Sequence, residues 1–309
     1  MAATTPTTPL ARPSPAHAEI PGEPLRAAAA GVAAGPSAST AVPSQAQVQP
    51  HAPASGLSQH LYILTGASRG LGLAMARQLL LPGHRLLCLS RKVNADLQRQ
   101  ATAAGVELEQ WAQDLSLAGE AAVRLETWLA GLQQRRPAAS VTLVNNAAMI
   151  PHIGPLADLP VNDITQALRV GIEAPMQLTA AFLRGTRGWR TERRVLNISS
   201  GLGRRPMASQ AAYCAVKAGI DHFTRSLALE EVLQPGGAKV CALAPGVVDT
   251  DMQVQMRAAD ADDFPDRARF EKLKAEGQLT SPEAAAARIL AYLTRADYGN
   301  QPVADIREI

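Results

Sequence analysis

The stretch Thr65-Gly66-Ala67-Ser68-Arg69-Gly70-Leu71-Gly72 places three glycines within eight residues, in the spacing TGxxxGxG. An apolar run at 61–64 precedes it and is typical of a buried strand. Apolar residues then recur at helical spacing. Glycines let a backbone approach a phosphate, and a helix N-terminus offers unpaired N–H groups. The stretch therefore predicts a strand, a phosphate-binding turn and a helix, with a tight turn that binds nothing as the alternative.

Strands and helices alternate along the rest of the chain. Further strands are predicted at 85–90, 106–112, 141–145, 194–198, 239–244 and 303–306. Helices are predicted at 94–104, 117–134, 161–184 with a kink at Pro175, 210–232, and 282–294 with Ser281 as its cap. This alternation predicts an α/β fold, a single Rossmann-like, doubly wound parallel sheet flanked by helices. Ligands then bind at the carboxyl ends of the strands.

The composition of the 309-residue chain changes near residue 58. Before that point Ala, Pro, Ser and Thr dominate without apolar periodicity, and such a segment cannot bury enough surface to order itself. We therefore expect a disordered Ala/Pro-rich tail at 1–58 and one catalytic domain at 59–309. The tail lacks the apolar core of a secretory signal. A transit peptide is an alternative that its prolines disfavour, and a non-native start site is another.

Charge and cysteine content exclude several classes of function. The formal net charge of +3 is too small to indicate nucleic-acid binding. The sequence contains no run of 18 apolar residues, so we expect no membrane-spanning helix. The odd set of three cysteines, Cys88, Cys214 and Cys241, lacks metal-type spacing. We expect no metal site, and free thiols in a reducing compartment, the cytoplasm.

Tyr213 and Lys217 stand four residues apart in a predicted helix, so they share one face. An ammonium beside a phenol favours phenolate and is expected to lower the phenol pKa from about 10. A tyrosine tuned in this way can transfer a proton near neutral pH. Ser200, thirteen residues upstream, could hold a substrate oxygen beside it. For the pair taken alone, the alternative is two ordinary surface residues without a catalytic role.

The order of the motifs resembles the short-chain dehydrogenase/reductase family, from about residue 61 to the C-terminus. The motifs are the glycine turn, Asp114-Leu115, Asn145-Asn146-Ala147-Ala148, Asn197-Ile198-Ser199-Ser200, the Tyr213 to Lys217 pair, and Pro245-Gly246-Val247-Val248-Asp249-Thr250. Leu227-Ala228-Leu229-Glu230-Glu231 and Asp249-Thr250-Asp251-Met252 look similar to the branch of sepiapterin and benzil reductases.

The resemblance implies a set of cofactor-binding residues. They are Gly66, Ser68, Arg69, Gly70, Leu71, Ser90, Arg91, Asp114, Leu115, Asn146, Tyr213, Lys217, Pro245, Gly246, Val248 and Thr250. Asp114 would accept from the adenine amino group; its alternative role is to cap the helix before Leu117, and the two roles are not exclusive. Asn146 would lie beside the adenine ribose, Val248 at the carboxamide and Thr250 near the pyrophosphate.

The end of the second strand indicates which cofactor is bound. An NAD-binding chain usually places an acid there, whereas this chain has Ser90 and Arg91. The guanidinium groups of Arg69 and Arg91 could together clamp a 2′-phosphate. We therefore expect NADPH rather than NADH, with two ordinary surface arginines as the alternative.

The resemblance also implies a reaction, hydride transfer between NADPH and a carbonyl. Tyr213 would be the proton donor, Lys217 would lower its pKa and bind the nicotinamide ribose, and Ser200 would orient the carbonyl. An apolar wall and a lid at 251–279 predict a hydrophobic carbonyl substrate such as an aromatic ketone, with plain core packing as the alternative for several of these residues. The resemblance to the sepiapterin and benzil reductase branch implies a diketone. The wall is Met149, Ile150, Leu202, Met207 and Val247, and the lid carries Met252, Met256, Phe264 and Phe270. A 3-oxoacyl thioester reductase and a non-catalytic NADP-sensing module are the alternatives, and family members commonly form homodimers or homotetramers.

Gly171 departs from the family pattern, which usually has Asn at this helical position, and Ala148 is a milder departure from Gly. By resemblance, the Asn holds a water that joins Lys217 to solvent. A rerouted proton relay, slow turnover, or compensation by Glu173 would each accommodate the change. Because Gly in a helix costs about 1 kcal/mol relative to Ala, we expect either a close-packing or a functional reason for it.

Overall fold

The structure, a computed structural model, describes residues 60–133 and 138–309. The predicted tail at 1–58 lies outside these described residues. Within them, parallel strands form one sheet in the order β3-β2-β1-β4-β5-β6-β7. The strands are β1 His60–Thr65, β2 His84–Ser90, β3 Glu107–Ala112, β4 Ser140–Asn145, β5 Glu192–Ile198, β6 Lys239–Ala244 and β7 Val303–Asp305. The predicted Rossmann-like parallel sheet is confirmed.

Helices connect the strands and cover both faces of the sheet. They are α1 Gly70–Gln78, α2 Ala95–Ala103, α3 Ala118–Gln133, α4 Val161–Leu168, α5 Ala174–Gly185, α6 Ala211–Val232, α7 Asp251–Ala258, α8 Arg267–Ala275 and α9 Pro282–Leu293. Short 3-10 turns occur at Leu115–Leu117, Leu156–Asp158 and Gly201–Gly203. The Ser281 hydroxyl accepts from the Ala284 N–H at 3.1 Å, which confirms the predicted cap of α9.

The alternation of side chains along β1 builds two hydrophobic layers. Tyr62 and Leu64 point to the layer formed with α1 and α9. Leu61 and Ile63 point to the opposite layer, formed with α3 and α5. Because both faces are covered, the inner positions 61–64 of the strand form a continuous hydrophobic run, as in other buried parallel strands.

The chain runs outward from β1 to β3 and then returns to place β4 on the other side of β1. Strand order reverses between β1 and β4, and the loops that follow these two strands diverge. Such a point leaves a crevice at the carboxyl edge of the sheet, which is where ligands bind in doubly wound folds. The glycine turn after β1 opens into this crevice.

The predicted bounds agree with the observed ones to within two residues, except for the helix predicted at 161–184. That segment consists of α4 and α5 joined by a π-helical turn, Arg169–Glu173. Pro175, at the start of α5, has no N–H to offer the carbonyl of Gly171, so regular α-helical bonding cannot continue there. The expected kink is therefore a widened turn that precedes the proline.

Candidate active site

A cleft of about 920 Å³ runs along the carboxyl edge of the sheet. Every residue predicted to bind the cofactor or to carry the reaction lines it: Gly66, Ser68, Arg69, Gly70, Leu71, Ser90, Arg91, Asp114, Leu115, Asn146, Ser200, Tyr213, Lys217, Pro245, Gly246, Val248 and Thr250. Residues spread over almost 190 positions of the sequence are thus brought to one surface, because each follows a strand or begins the next helix.

The glycine turn is held by backbone contacts that leave no room for side chains. Gly66 has a φ of 71°, in the left-handed region that favours glycine. A Cβ on Gly72 would overlap the carbonyl oxygen of Gly66 and lie 2.5 Å from Nδ2 of Asn146. Asn146 donates from Nδ2 to the carbonyl of Thr65 at 3.0 Å, which ties β4 to the turn. The turn and the N-terminus of α1 therefore form a rigid cradle of the kind that holds a pyrophosphate.

The charged residues proposed to read the 2′-phosphate lie at the same end of the cleft. Nη1 of Arg69 makes an ion pair of 2.6 Å with Oδ2 of Asp251, and both side chains are about two-thirds exposed at 66% and 65%. Arg91 is exposed and has no ion pair among the described residues. The hydroxyl of Ser90 is buried without a hydrogen-bond partner in the described part of the chain.

Asp114 is a helix cap. Its Oδ1 accepts from the N–H of Ser116 at 2.9 Å, at the start of the turn Leu115–Leu117. This hydrogen bond holds the pKa of the Asp114 carboxyl below its usual value, against the smaller opposing effect of burial. The capping alternative is confirmed, and the carboxylate still lines the cleft.

The three residues predicted to carry the chemistry meet at the centre of the cleft. Tyr213 and Lys217 lie on one face of α6 and are only 7% and 4% exposed, and Ser200 follows β5. The hydroxyl of Tyr213 lies close enough to the side chain of Ser200 for that side chain to lower its pKa. Nζ of Lys217 donates to the carbonyl of Ile198 at 2.8 Å and lies 5.7 Å from the centroid of the Tyr213 ring.

Burial dominates the acid–base properties of this pair. It raises the pKa of Tyr213 to about 12, although the neighbouring Ser200 side chain acts in the opposite direction. It lowers the pKa of Lys217 to about 8, opposed by the negative charge of Asp221. The expectation that Lys217 would lower the Tyr213 pKa below 10 was wrong for this structure, because desolvation of the phenolate outweighs the lowering effect of the Ser200 side chain.

Gly171 has a packing role. It lies in the π-helical turn before α5, and a Cβ there would overlap Cγ1 of Val216 on α6. An Asn at this position therefore cannot fit unless Val216 moves. Glu173, considered as a substitute for the missing Asn, accepts from Nε2 of Gln177 at 2.9 Å and does not line the cleft. Compensation by Glu173 is therefore not supported by its position.

Apolar side chains form the other half of the cleft, beyond Tyr213. The cluster contains Ile150, Ile153, Leu202, Tyr213, Met256, Phe264 and Phe270, with Met207, Cys214, Met252, Ala259 and Leu273 packed against it. Met149 and Val247 also line the cleft, as predicted. Phe264 differs from the prediction, since it is fully buried behind Phe270, with ring centroids 5.6 Å apart, and does not line the cleft.

Several residues of the site have no sequence signal that identifies them. Arg205, Arg269 and Arg307 line the cleft but are scattered among thirty basic residues. Ser199 and Asp221 are different, because each has a positional clue. Ser199 precedes Ser200, and Asp221 lies one helical turn beyond Lys217.

Two searches of the described residues bear on other classes of function. No helix in the ranges 60–133 and 138–309 is both long and apolar enough to span a bilayer. The same residues contain no group of three or more His, Cys, Asp or Glu side chains placed to hold a metal ion.

Comparison with known proteins gives consistent matches. A family model described as "short chain dehydrogenase" matches residues 60–261. A benzil reductase ((S)-benzoin forming) of Bacillus cereus is 35% identical over 246 residues, which are 80% of this chain and 98% of that protein. A sepiapterin reductase of Xenopus tropicalis is 34% identical over 255 residues, 78% of this chain and 94% of that protein.

A solved structure shares both the fold and part of the sequence. It is a metagenomic short-chain oxidoreductase in complex with NADP, with a TM-score of 0.61 and 27% sequence identity. The match covers 81% of this chain and 96% of that one. The similarity thus extends over nearly the whole of each known protein.

Proposed function

The chain belongs to the short-chain dehydrogenase family and is an oxidoreductase acting on CH–OH or C=O groups, and from this premise we propose that it is an NADPH-dependent reductase of hydrophobic ketones or diketones. One observation carries the proposal. Tyr213 and Ser200 line the same cleft, where the glycine-turn cradle meets a cluster of apolar side chains that includes Tyr213 itself. This arrangement supports Tyr213 as a proton donor between a cofactor-binding half and an apolar half of one cleft.

The residues of the first half fit a dinucleotide. The rigid turn at Gly66 and the N-terminus of α1 suit a pyrophosphate, and the buried Ser90 hydroxyl still lacks a partner among the described residues. The end of β2 carries Ser90 and Arg91 in place of an acid, which favours a phosphorylated ribose. When bound, the reduced nicotinamide supplies a hydride for the carbonyl carbon.

The chain's own residues handle the proton. Because the pKa of Tyr213 is raised to about 12, the phenol is protonated throughout the neutral range and can give its proton to the carbonyl oxygen. Lys217, whose pKa is about 8, carries a positive charge at neutral pH and faces the phenolate that this transfer leaves behind. Ser200 donates to the same carbonyl oxygen and orients it toward Tyr213.

The apolar half supports the choice of substrate. Met207, Met252 and Met256 present flexible, polarizable side chains to the cleft, which suits a bulky or aromatic carbonyl compound. Two of the relatives are named benzil reductase, and benzil is an aromatic diketone. We extend the same proposal to a homodimeric or homotetrameric enzyme that works in the cytoplasm, with its three cysteines reduced.

The experiment that tests this proposal follows NADPH oxidation with benzil, a phenyl diketone, sepiapterin and an acetoacetyl thioester. Wild type and Tyr213→Phe are compared, and each assay is repeated with NADH. We expect turnover of the diketones with NADPH, and a fall in kcat of at least about 100-fold in Tyr213→Phe, because general acid catalysis is worth that much.

NADPH binding, followed by fluorescence titration, should be nearly unchanged in Tyr213→Phe because only one hydroxyl is removed. Turnover of the thioester alone would replace the diketone by an acyl substrate. Tight NADPH binding without turnover of any carbonyl would favour the nucleotide-sensing alternative.

A further inference from the structure

Asp221 is a buried carboxylate on the face of α6 that carries Tyr213 and Lys217. It lies one helical turn beyond Lys217 and is only 1% exposed. Burying an ionised carboxylate is costly unless hydrogen bonds and opposite charges compensate it. The contacts of Asp221 therefore indicate why a carboxylate is placed there.

One oxygen of Asp221 is bound to the residue next to Ser200. Oδ1 accepts a short hydrogen bond from the hydroxyl of Ser199, which is itself 3% exposed. Oδ2 is buried and has no hydrogen-bond partner within the described residues. The bond from Ser199 therefore fixes the backbone next to Ser200 to the helix that carries Tyr213.

Two more contacts join the same stretch to α6. Nζ of Lys217 donates to the carbonyl of Ile198 at 2.8 Å. A Cβ on Gly203 would lie 2.8 Å from Oδ2 of Asp221 and 2.9 Å from the carbonyl oxygen of Lys217. Two hydrogen bonds, from Ser199 to Asp221 and from Lys217 to Ile198, thus anchor this stretch to α6 just before Ser200, and Gly203 allows its backbone to approach α6 closely after it.

The charges around Asp221 come from several elements. Burial raises its pKa, whereas Arg204 after the Gly201–Gly203 turn, and Arg225 and Lys217 on α6, lower it. Cys241 on β6 also faces it, since the Asp221 charge adds to burial in raising the pKa of that thiol. For Lys217, Asp221 is the charge that opposes the effect of burial. Asp221 forms no ion pair with Lys217 among the described residues, so it acts on this buried ammonium as a negative charge one helical turn away.

We propose that Asp221 is a positioning residue of the active site, which holds Ser200 in register with Tyr213 through Ser199 and acts as the buried counter-charge of Lys217. Its kinetic consequences rest on the proposed function, but its effect on Lys217 does not. Two substitutions separate the two roles. Ser199→Ala removes the hydrogen bond and keeps the charge, whereas Asp221→Asn keeps an acceptor for Ser199 and removes the charge.

The kinetic test measures kcat and KM with benzil and NADPH across the pH range. We expect Ser199→Ala to lower kcat about 10- to 100-fold with the KM of NADPH unchanged, because small displacements of a catalytic group have effects of this size. We expect Asp221→Asn to move the alkaline decline of kcat to lower pH, since Lys217 then loses its charge earlier.

Glu231→Gln is the matched control, because Glu231 is a buried carboxylate near the end of α6 that accepts from the N–H of Ala238 at 2.7 Å, far along the helix from Lys217. This control should leave the pH profile unchanged. Full kcat in Ser199→Ala would overturn the register role. An equal shift of the profile in Glu231→Gln and Asp221→Asn would overturn the counter-charge role.

Thermal unfolding at different pH values tests the counter-charge role of Asp221 without any enzymatic turnover. The pKa of Lys217 is about 8 in the folded chain, against 10.5 for an ordinary lysine, so the unfolded chain binds more protons between these values and stability rises with pH there. We expect Asp221→Asn to lower the pKa of Lys217 in the folded chain further, because the nearby negative charge is removed. The loss in Tm should therefore be larger at about pH 6.5 than at about pH 9.5.

The same comparison in a Lys217→Met background removes the titrating ammonium, so the loss in Tm caused by Asp221→Asn should no longer shrink with rising pH. A loss that changes with pH in the same way in both backgrounds would overturn the counter-charge role. If wild type reduces no carbonyl, the proposed function fails, and this thermal cycle still decides the role of Asp221.

Discussion

The two halves of the cleft are built in different ways. The cofactor half is bounded by backbone, in the turn from Gly66 to Gly72 and at the ends of β1, β4 and β6. The substrate half is bounded by long side chains, many of them from α7 and α8. Backbone geometry depends on residues adjacent in the chain, whereas the apolar half depends on contacts between distant segments. The first half is therefore rigid and specified locally, and the second is adjustable.

The largest expected effect tests the rigidity of the cofactor half. In Gly72→Ala the new Cβ overlaps the carbonyl oxygen of Gly66, which is backbone and cannot turn away. We expect NADPH binding to weaken beyond detection and the Tm to fall, because relief requires the whole turn to move. Fluorescence titration with NADPH and thermal unfolding measure the two effects.

Gly131→Ala is the control for this change. Gly131 is an exposed residue of α3 whose Cβ would meet nothing within 4 Å. That substitution should leave binding unchanged and stabilise the helix by up to about 1 kcal/mol. Normal NADPH binding by Gly72→Ala would show that the turn is more adaptable than its packing indicates.

This difference between the halves explains what could be predicted from the sequence. The glycine spacing, the strand ends and the Tyr213–Lys217 interval are local patterns, and each predicted residue of the cofactor half and of the reaction centre lines the cleft. The alternation of apolar runs likewise predicted the parallel sheet, because buried parallel strands read as continuous apolar stretches.

Two of the errors have long-range causes. Phe264 lies behind the cleft because Phe270 covers it, a contact between a loop and α8 that no short-range pattern specifies. The direction of the Tyr213 pKa was missed because desolvation depends on what surrounds the ring in three dimensions. The division of the helix at 161–184 has a local cause instead, since the π-helical turn precedes Pro175, where the sequence predicted a kink but not a widened turn.

The second prediction concerns the substrate half. Met256 is 4% exposed, lines the cleft and packs in the cluster around Tyr213. We expect Met256→Ala to lower the free energy of unfolding by about 2 to 5 kcal/mol, the usual cost of a Met-to-Ala change in a core. The KM of benzil should rise while the KM of NADPH stays the same, because only the apolar half is altered.

Val254→Ala, on the same helix but 54% exposed, is the matched control and should change none of these quantities. Urea unfolding and steady-state kinetics measure both variants. An equal rise in the KM values of benzil and NADPH in Met256→Ala would mean that the two halves are not independent.

The third prediction concerns cofactor choice. If Arg69 and Arg91 clamp the 2′-phosphate, the double substitution to Ala should raise the KM of NADPH about 10- to 100-fold and leave the KM of NADH nearly unchanged, given the strength of charge-assisted hydrogen bonds to phosphate. Equal increases for both cofactors would remove these arginines from phosphate recognition.

The smallest expected effect arises where the halves touch, at the ion pair between Arg69 of the glycine turn and Asp251 of α7. An exposed pair is worth at most about 1 kcal/mol, so releasing Arg69 by Asp251→Asn should lower the KM of NADPH by up to about fivefold. The effect requires Arg69, so it should vanish in an Arg69→Ala background, and it should be absent with NADH. A lower KM for both cofactors would instead mean that the pair restrains α7 over the cleft, because a freer helix admits either dinucleotide equally. The separation of the two halves would then depend on this one contact.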